Sequence, residues 1–266
     1  MIPNNLMYSY MAGWTDGDGC IHISKVEKRW SRFSLKITDI EPLLFFKKKL
    51  NVENKIVLKK PDQRGFKVKP MYNLNIYTKK ALPFIKNIAP YLIEKQFKAI
   101  EYIKTFEGEV ENFSHKQHTD EEFFAWLAGY IEAEGHVGVR IKKKFDKRRN
   151  KEYVFKQIFI QLVNTNLDVM QFITDKLKKL NILDSKIILQ KLIPKSKPCI
   201  KTGKLFVRKP VYRLFAASAS FLRLQEKIIN YFIISRKKNK ILEGVAVYKQ
   251  AKFKRKTIRE YFNETK

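Results

Sequence analysis

The sequence predicts an α+β protein made of two similar domains, each with the element order αββαββα and a four-stranded antiparallel sheet. Two observations lead to this prediction. A pattern of glycines and acids occurs twice, as MAGWTDGDG at 11–19 and LAGYIEAEG at 127–135, and the two copies align without a gap. Each copy is followed by the same succession of alternating and amphipathic segments.

The first copy opens a helix that leads into two strands, in which apolar and polar residues alternate at 21–24 and 32–37. The run EPLLFFKKKLN then predicts a second helix. Two more strands are expected around 55–60 and 71–77, and a helix near 80–104 closes the repeat.

The second copy repeats this order. Thr119 and Glu122 form a capping box that opens its first helix. Two strands, the helical run LDVMQFITDKLKKLN, two further strands at 186–192 and 205–215 and a closing helix near 219–246 follow. The predicted organisation is a first repeat at 1–105, a polar linker at 106–118, a second repeat at 119–248 and a basic tail at 249–266.

Charge indicates the class of partner. The chain has 55 Lys and Arg residues against 26 Asp and Glu, a formal net charge of +29. Such a surplus suits a polyanion, and it favours nucleic acid over an anionic membrane surface. No apolar run approaches the ~18 residues that span a bilayer, and the N-terminus has no targeting pattern. We therefore expect no membrane partner and an intracellular protein.

Cysteine and histidine give little indication of a metal site. Cys20 and Cys199 form no paired motif, which argues against a disulfide framework or a cysteine-bound zinc. His115 and His118 form an HxxH pair in the linker without a nearby third ligand. We interpret both histidines as solvated loop residues.

The duplicated helices indicate a different kind of site. Their small residues would let two helix backbones approach closely, which offsets the ~0.5–1 kcal/mol that a glycine costs inside a helix. Close packing would bring together Asp18 and Glu134 at the helix C-termini, where the helix dipole adds negative potential. One copy alone would suggest a solvated helix end. Two copies favour an oxygen-rich Mg²⁺ site completed by a phosphate.

MAGWTDGDG and LAGYIEAEG resemble the two signature motifs of a single-chain LAGLIDADG homing endonuclease. The resemblance extends from about Tyr8 to about Gly244. It implies a pseudo-twofold protein whose two sheets form a saddle over the major groove of double-stranded DNA, with the signature helices packed at the centre. It also implies a monomer that acts on an asymmetric site.

The resemblance assigns the metal ligands. Asp18 and Glu134 match the divalent-metal ligand of each motif, and the carbonyls of Gly17 and Ala133 match a second contact to the metal. Glu134 departs from the family's aspartate but keeps its charge. Asp16 and Glu132 are expected to be structural and to form bonds near the helix junction.

Four further residues are assigned to the reaction by the resemblance. Lys95 matches the basic residue at the start of the first closing helix. Lys237 is its best match in the second repeat, with Arg236 as a competitor. Lys36 and Gln161 match positions that order solvent around the scissile phosphates.

The implied activity is Mg²⁺-dependent phosphodiester hydrolysis, with Mn²⁺ or Ca²⁺ able to substitute for binding. Each half would cut one strand and leave a staggered break. Outward strand positions would read bases, since arginine suits guanine, and asparagine or glutamine suits adenine. These residues are His22, Ser24, Arg32, Ser34, Asn73 and Asn75 in the first repeat, and Arg140, Lys142, Gln157 and Arg213 in the second. The basic run at 142–151 and the tail are expected to bind phosphates.

Two other functions remain open. An RNA-splicing maturase on the same fold would bind intron RNA with or without cleavage, and the two retained acids do not exclude a dual activity. A transcription regulator derived from the fold would have little use for metal ligands. The Lys-, Ile-, Asn-, Phe- and Tyr-rich composition suggests an AT-rich genome, compatible with an intron-encoded protein of an organelle.

Overall fold

The protein divides into two compact units in a computed structural model that describes residues 2–59, 70–108, 117–146, 150–184, 189–193, 197–198, 205–206, 209–246 and 248–249. Unit 1 comprises Met1–Glu134 and Asn230–Ile234, and unit 2 comprises Gly135–Ile229 and Ser235–Lys266. Unit 1 therefore holds both signature helices, so the compact units do not coincide with the sequence repeats. The repeat boundaries stay a prediction.

Unit 1 begins with the first signature helix and a sheet of order β1-β2-β4-β3. The elements are α1 (Met7–Gly17), β1 (Gly19–His22), β2 (Arg32–Ile37), α2 (Glu41–Leu50), β3 (Val57–Lys59) and β4 (Met71–Tyr77). All strand pairs are antiparallel. The core forms on the alternating apolar face, where Phe33 stacks against Phe46 and meets Phe84 edge-on. The predicted strand alternation is thus confirmed.

The closing helix predicted near 80–104 is two helices, α3 (Leu82–Ile88) and α4 (Gln96–Glu107). A 3-10 turn at Ala89–Tyr91 separates them. Pro90 has no backbone N–H to continue the helical ladder, which favours a break at this point.

The second signature helix, α5 (Asp120–Glu134), packs against α1 within unit 1. Its start confirms the capping box, because the Thr119 amide donates to the Glu122 carboxylate at 2.9 Å. In return, the Glu122 amide donates to the Thr119 hydroxyl at 3.2 Å. Residues 109–116 of the predicted linker lie outside the described part of the chain.

Unit 2 holds a second antiparallel sheet of order β5-β6-β10-β7. Its elements are β5 (His136–Asp146), β6 (Lys151–Asn164), α6 (Leu167–Lys179), β7 (Gln190–Leu192), β8 (Lys197–Pro198), β9 (Leu205–Phe206), β10 (Val211–Ala217) and α7 (Ala219–Ile228), followed by α8 (235–246). Ile158, Ile160, Leu162 and Leu214 are buried on one face of the sheet.

Two details of unit 2 differ from the sequence prediction. The strand expected at 205–215 is two strands, β9 and β10. The closing helix again divides, because a 3-10 turn at Ile229–Tyr231 follows α7 before α8 begins. Part of the basic run at 142–151 lies in the paired strands β5 and β6. None of the described helices is long and apolar enough to cross a bilayer.

Candidate metal and nucleic-acid site

Glycines bring the two signature helices into backbone contact. A Cβ added to Gly13 would lie 1.8 Å from the carbonyl oxygen of Trp126. In the matching place on the other helix, a Cβ on Gly129 would lie 2.2 Å from the carbonyl oxygen of Tyr10. No side chain fits at either position, so the close approach predicted from the sequence is confirmed.

The helices also meet at their C-terminal ends. A Cβ on Gly17 would lie 2.4 Å from the Cβ of Ala133 and 3.2 Å from the Cγ of Glu134. Asp18 caps the end of α1, and both acids are exposed. The structure therefore places two carboxylates beside two helix C-termini, where the carbonyl groups add further negative potential.

The chemistry of these groups fits a hard divalent cation. Carboxylate and backbone carbonyl oxygens are the ligands that Mg²⁺ and Ca²⁺ take in proteins. In the described part of the chain, no cluster of three or more His, Cys, Asp or Glu side chains could hold a metal. A cation beside Asp18 and Glu134 would thus need additional oxygens, which a phosphate can supply.

The Lys95 ammonium group lies at the same end of α1. Its Nζ donates to the carbonyl oxygens of Thr15, Asp16 and Gly17 at 2.8, 2.7 and 2.8 Å. Burial lowers the pKa of Lys95, while the negative charges of Asp16, Glu94, Glu134 and Asp18 oppose that shift. Lys95 thereby satisfies the terminal carbonyls of α1 and brings positive charge to the acids.

Lys237 makes a related contact in unit 2. Its Nζ donates to the carbonyl oxygen of Gly135 at 3.0 Å. Gly135 directly follows Glu134 in the chain. The assignment of Lys237 as the second basic residue, with Arg236 as its competitor, stays a prediction.

Asp16 fixes the backbone segment that directly precedes α4. Its buried carboxylate accepts hydrogen bonds from the amides of Ile93, Glu94 and Lys95 at 2.8, 3.1 and 2.9 Å. The Trp126 indole donates a fourth bond at 2.9 Å. Burial raises the pKa of Asp16 to about 6, against the lowering effect of these bonds and of the Lys95 charge.

Glu132 has the same role before α8. Its carboxylate accepts from the amides of Ile233 and Ile234 at 2.8 and 2.6 Å, and from the Tyr10 hydroxyl. Burial and the charge of Glu132 raise the pKa of Tyr10. The expectation that Asp16 and Glu132 are structural is confirmed. Sequence reasoning missed their aromatic partners, although an aromatic residue precedes both motifs.

Comparison with solved structures shows which proteins share the fold of this chain. Neither a protein-family model nor a curated protein matches the sequence. The LAGLIDADG meganuclease I-CpaMI bound to uncleaved DNA matches with a TM-score of 0.54, covering 97% of this chain and 96% of its own at 15% identity. The chain has the fold of LAGLIDADG homing endonucleases.

Two other LAGLIDADG homing endonucleases match over similar lengths. I-SmaMI bound to cleaved DNA has a TM-score of 0.55 and 16% identity, covering 97% of this chain and 93% of its own. I-LtrWI bound to target DNA has a TM-score of 0.53 and 15% identity, covering 94% and 92%. At these identities the likeness establishes the fold of the chain and leaves its activity open.

The sequence predicts that the polar face of each sheet reads DNA, and in unit 1 part of the predicted set occupies that face. His22 and Lys36 are exposed, while Arg32 and Asn75 are half-buried. Pairing places Arg32 opposite His22, and Lys36 opposite Asn73. The predicted role of these residues in DNA binding remains a prediction.

Three residues of this face differ from the outward strand positions that the sequence predicts, while their role in DNA binding stays a prediction. Ser34 and Asn73 are each only 3% exposed, although they were expected to be open to a ligand. Both are short side chains on the two central strands, with longer residues around them in the register. Ser24 lies beyond the end of β1, where its amide binds the Ser31 hydroxyl at 3.0 Å.

The polar face of unit 2 carries ordered arginines. Arg140 donates through Nε and Nη2 to Gln157 at 2.9 and 2.7 Å, and its guanidinium lies 4.3 Å from the Phe215 ring centroid. Arg213 donates through Nε to Gln190 at 3.0 Å. Gln161 lies on the same face and is half-buried. The side chain of Lys142 lies outside the described part of the structure.

The structure describes His118 and Cys20 but leaves His115 and Cys199 outside the described residues. His118 is half-buried, with Tyr91 and Trp126 edge-on to its ring, so its interpretation as a solvated residue is wrong. Cys20 is an exposed free thiol. Tail residues 250–266 also lie outside the described residues.

Proposed function

We propose that this protein is a site-specific DNA endonuclease that uses a divalent metal to make a staggered double-strand break in a long, asymmetric target. The observation that carries the proposal is the contact between the C-terminal ends of the two helices that carry Asp18 and Glu134, with Lys95 bound to the adjacent carbonyls. Two acids at this position would repel each other unless a cation lay between them and a substrate phosphate.

Each residue of the site has a role that follows from its chemistry. When bound, Mg²⁺ would activate water and stabilise charge on the phosphate and the leaving oxygen. Asp18 and Glu134 would hold the ion, with the carbonyls of Gly17 and Ala133 as further donors. Lys95 would offset the negative charge that the acids and the phosphate bring together.

DNA binding is supported by charge and by the fold. A net charge of +29 suits a polyanion. The compared meganucleases I-CpaMI and I-LtrWI are described as bound to DNA, and I-SmaMI to an uncleaved DNA target in the presence of calcium ions. The outward polar strand residues of both units are the proposed base-reading surface, and a single chain is the proposed active species.

The test begins with a cleavage selection from a randomised pool of duplex DNA in Mg²⁺. On the selected target, Asp18→Asn and Glu134→Gln should each abolish double-strand cleavage and leave binding in Ca²⁺ intact or tighter, because negative charge is removed near phosphates. Glu107→Gln, which changes an exposed acid at the end of α4, is the matched control and should cut normally.

Two results would contradict the proposal. Normal Mg²⁺-dependent cleavage by either variant would remove the metal assignment. A protein that cuts no duplex but promotes splicing of an intron RNA would be a maturase instead.

A further inference from the structure

Two of the buried acids of unit 1, Asp16 and Glu132, accept hydrogen bonds from aromatic residues of the opposite repeat. Trp126 lies on α5 but donates to Asp16 on α1. Tyr10 lies on α1 but donates to Glu132 on α5. Tyr10 and Trp126 occupy the same place in the two aligned motifs, as do Asp16 and Glu132. The internal duplication therefore contains the same crossed bond twice.

Each acid also holds a segment of its own repeat. Asp16 accepts the amides of Ile93, Glu94 and Lys95, so it fixes the backbone from which the Lys95 side chain extends. Glu132 accepts two amides directly before α8, the helix that carries Lys237.

We propose that Trp126 and Tyr10 are crossed positioning residues: Trp126 of the second repeat orients Lys95 of the first through Asp16, and Tyr10 of the first repeat orients the segment before Lys237 through Glu132. The proposal rests on the proposed endonuclease function only for the role of the two lysines. The coupling itself is a property of the buried bonds.

The physical reason is that a buried carboxylate needs all its donors to keep one orientation. Asp16 is 1% exposed, so water cannot replace a lost indole bond without entering the helix interface. Without the Trp126 donor, the carboxylate gains freedom to turn, and the amides of 93–95 lose their fixed acceptor. The backbone of Lys95 is then no longer fixed, so the ammonium group that binds the carbonyl oxygens of 15–17 is positioned less firmly.

Hydrogen exchange at single-amide resolution tests the coupling in the full chain without DNA. Trp126→Phe should speed exchange at 93–95 by about ten- to a hundredfold and leave 233–234 unchanged. Tyr10→Phe, which deletes one hydroxyl, should speed exchange at 233–234 and leave 93–95 unchanged. Trp14→Phe is the control for ring size, because that indole donates to the Tyr10 hydroxyl and not to Asp16. Equal release of both segments by any one variant would overturn the crossed coupling.

Strand-resolved nicking then tests the consequence for cleavage. Lys95→Met and Lys237→Met first identify the strand that depends on each lysine. Trp126→Phe should slow the strand that depends on Lys95, and Tyr10→Phe the strand that depends on Lys237, each by about tenfold or more with DNA affinity unchanged. Equal slowing of both strands would mean that the aromatic residues only stabilise the fold. If the unmodified protein cuts no DNA, the proposed function fails, while the exchange experiment still decides the coupling.

Discussion

A methyl group can be added to α1 by Gly17→Ala and then removed from α5 by Ala133→Gly. The first substitution should lower the unfolding free energy of the protein, and the second should restore it. In Gly17→Ala the new Cβ would lie 2.4 Å from the Cβ of Ala133, whereas ordinary contacts begin at 3.4 Å. The two helix ends must therefore separate by roughly 1 Å, a gap that removes about a quarter to a half of the dispersion energy of the contacts between them. Overpacking of this kind costs about 1–3 kcal/mol, and replacing a helical glycine returns about 0.5–1 kcal/mol.

The compensating change is Ala133→Gly. The double variant places the methyl group on the other helix, which removes the 2.4 Å contact and leaves only the 3.2 Å contact with the Glu134 Cγ. The glycine moves from α1 to α5, so its cost inside a helix is nearly unchanged. We expect Gly17→Ala to lose about 1–2 kcal/mol of unfolding free energy and the double variant to recover most of it. Gly13→Ala should be more damaging and should resist rescue, because its clash at 1.8 Å is with the Trp126 backbone carbonyl.

Urea denaturation of the three variants and the unmodified protein is the measurement. The matched control is Lys98→Ala, an exposed position on α4 that should change stability by less than about 0.5 kcal/mol. If Gly13→Ala were as stable as the unmodified protein, the helices would not be in backbone contact. If Ala133→Gly failed to restore Gly17→Ala, their C-terminal ends would not meet as described.

Three further outcomes are expected. Since burial raises the pKa of Asp16 to about 6, the folded state binds an extra proton between about pH 4 and 6, so stability should fall by about 3 kcal/mol as pH rises through that window. Asp16→Asn should remove this component from denaturation curves recorded at pH 4 to 7, and an unchanged pH slope would refute it. Thr119→Ala should cost about 0.5–2 kcal/mol through loss of the capping box, and urea unfolding at no cost would contradict the cap. Arg32→Ala or Arg213→Ala should lose about 1–3 kcal/mol of binding on the preferred duplex alone, whereas equal losses on a scrambled duplex over a salt series would show that they hold the DNA backbone.

Features with a local period or an internal repeat could be predicted from the sequence. The alternation around Phe33 and Ile160, the Thr119 capping box and the glycine contacts all follow from short-range patterns, and duplication strengthened the alternation and the glycine pattern. Burial of Ser34 and Asn73 could not be predicted, because alternation gives the face of a residue but not the size of its neighbours.

Hydrogen bonds between residues far apart in the chain could not be predicted from the sequence either. Pro90 is a local signal for the break between α3 and α4, but the bonds from Asp16 to the amides before α4 and from Glu132 to those before α8 join residues far apart in the chain. The acids were expected to be structural, but nothing in the local sequence identified Trp126 or Tyr10 as their donors.

The placement of α5 and 230–234 in unit 1 has a consequence for synthesis of the chain. A nascent polypeptide that ends before residue 119 has no partner for the face of α1 that carries Tyr10, Gly13 and Trp14. Glu132 in turn lacks its amide partners until Ile233 and Ile234 leave the ribosome. Unit 1 should therefore finish folding only after Ile234 has left the ribosome, and a truncated chain of the first repeat should self-associate through α1, which sedimentation of that fragment would detect.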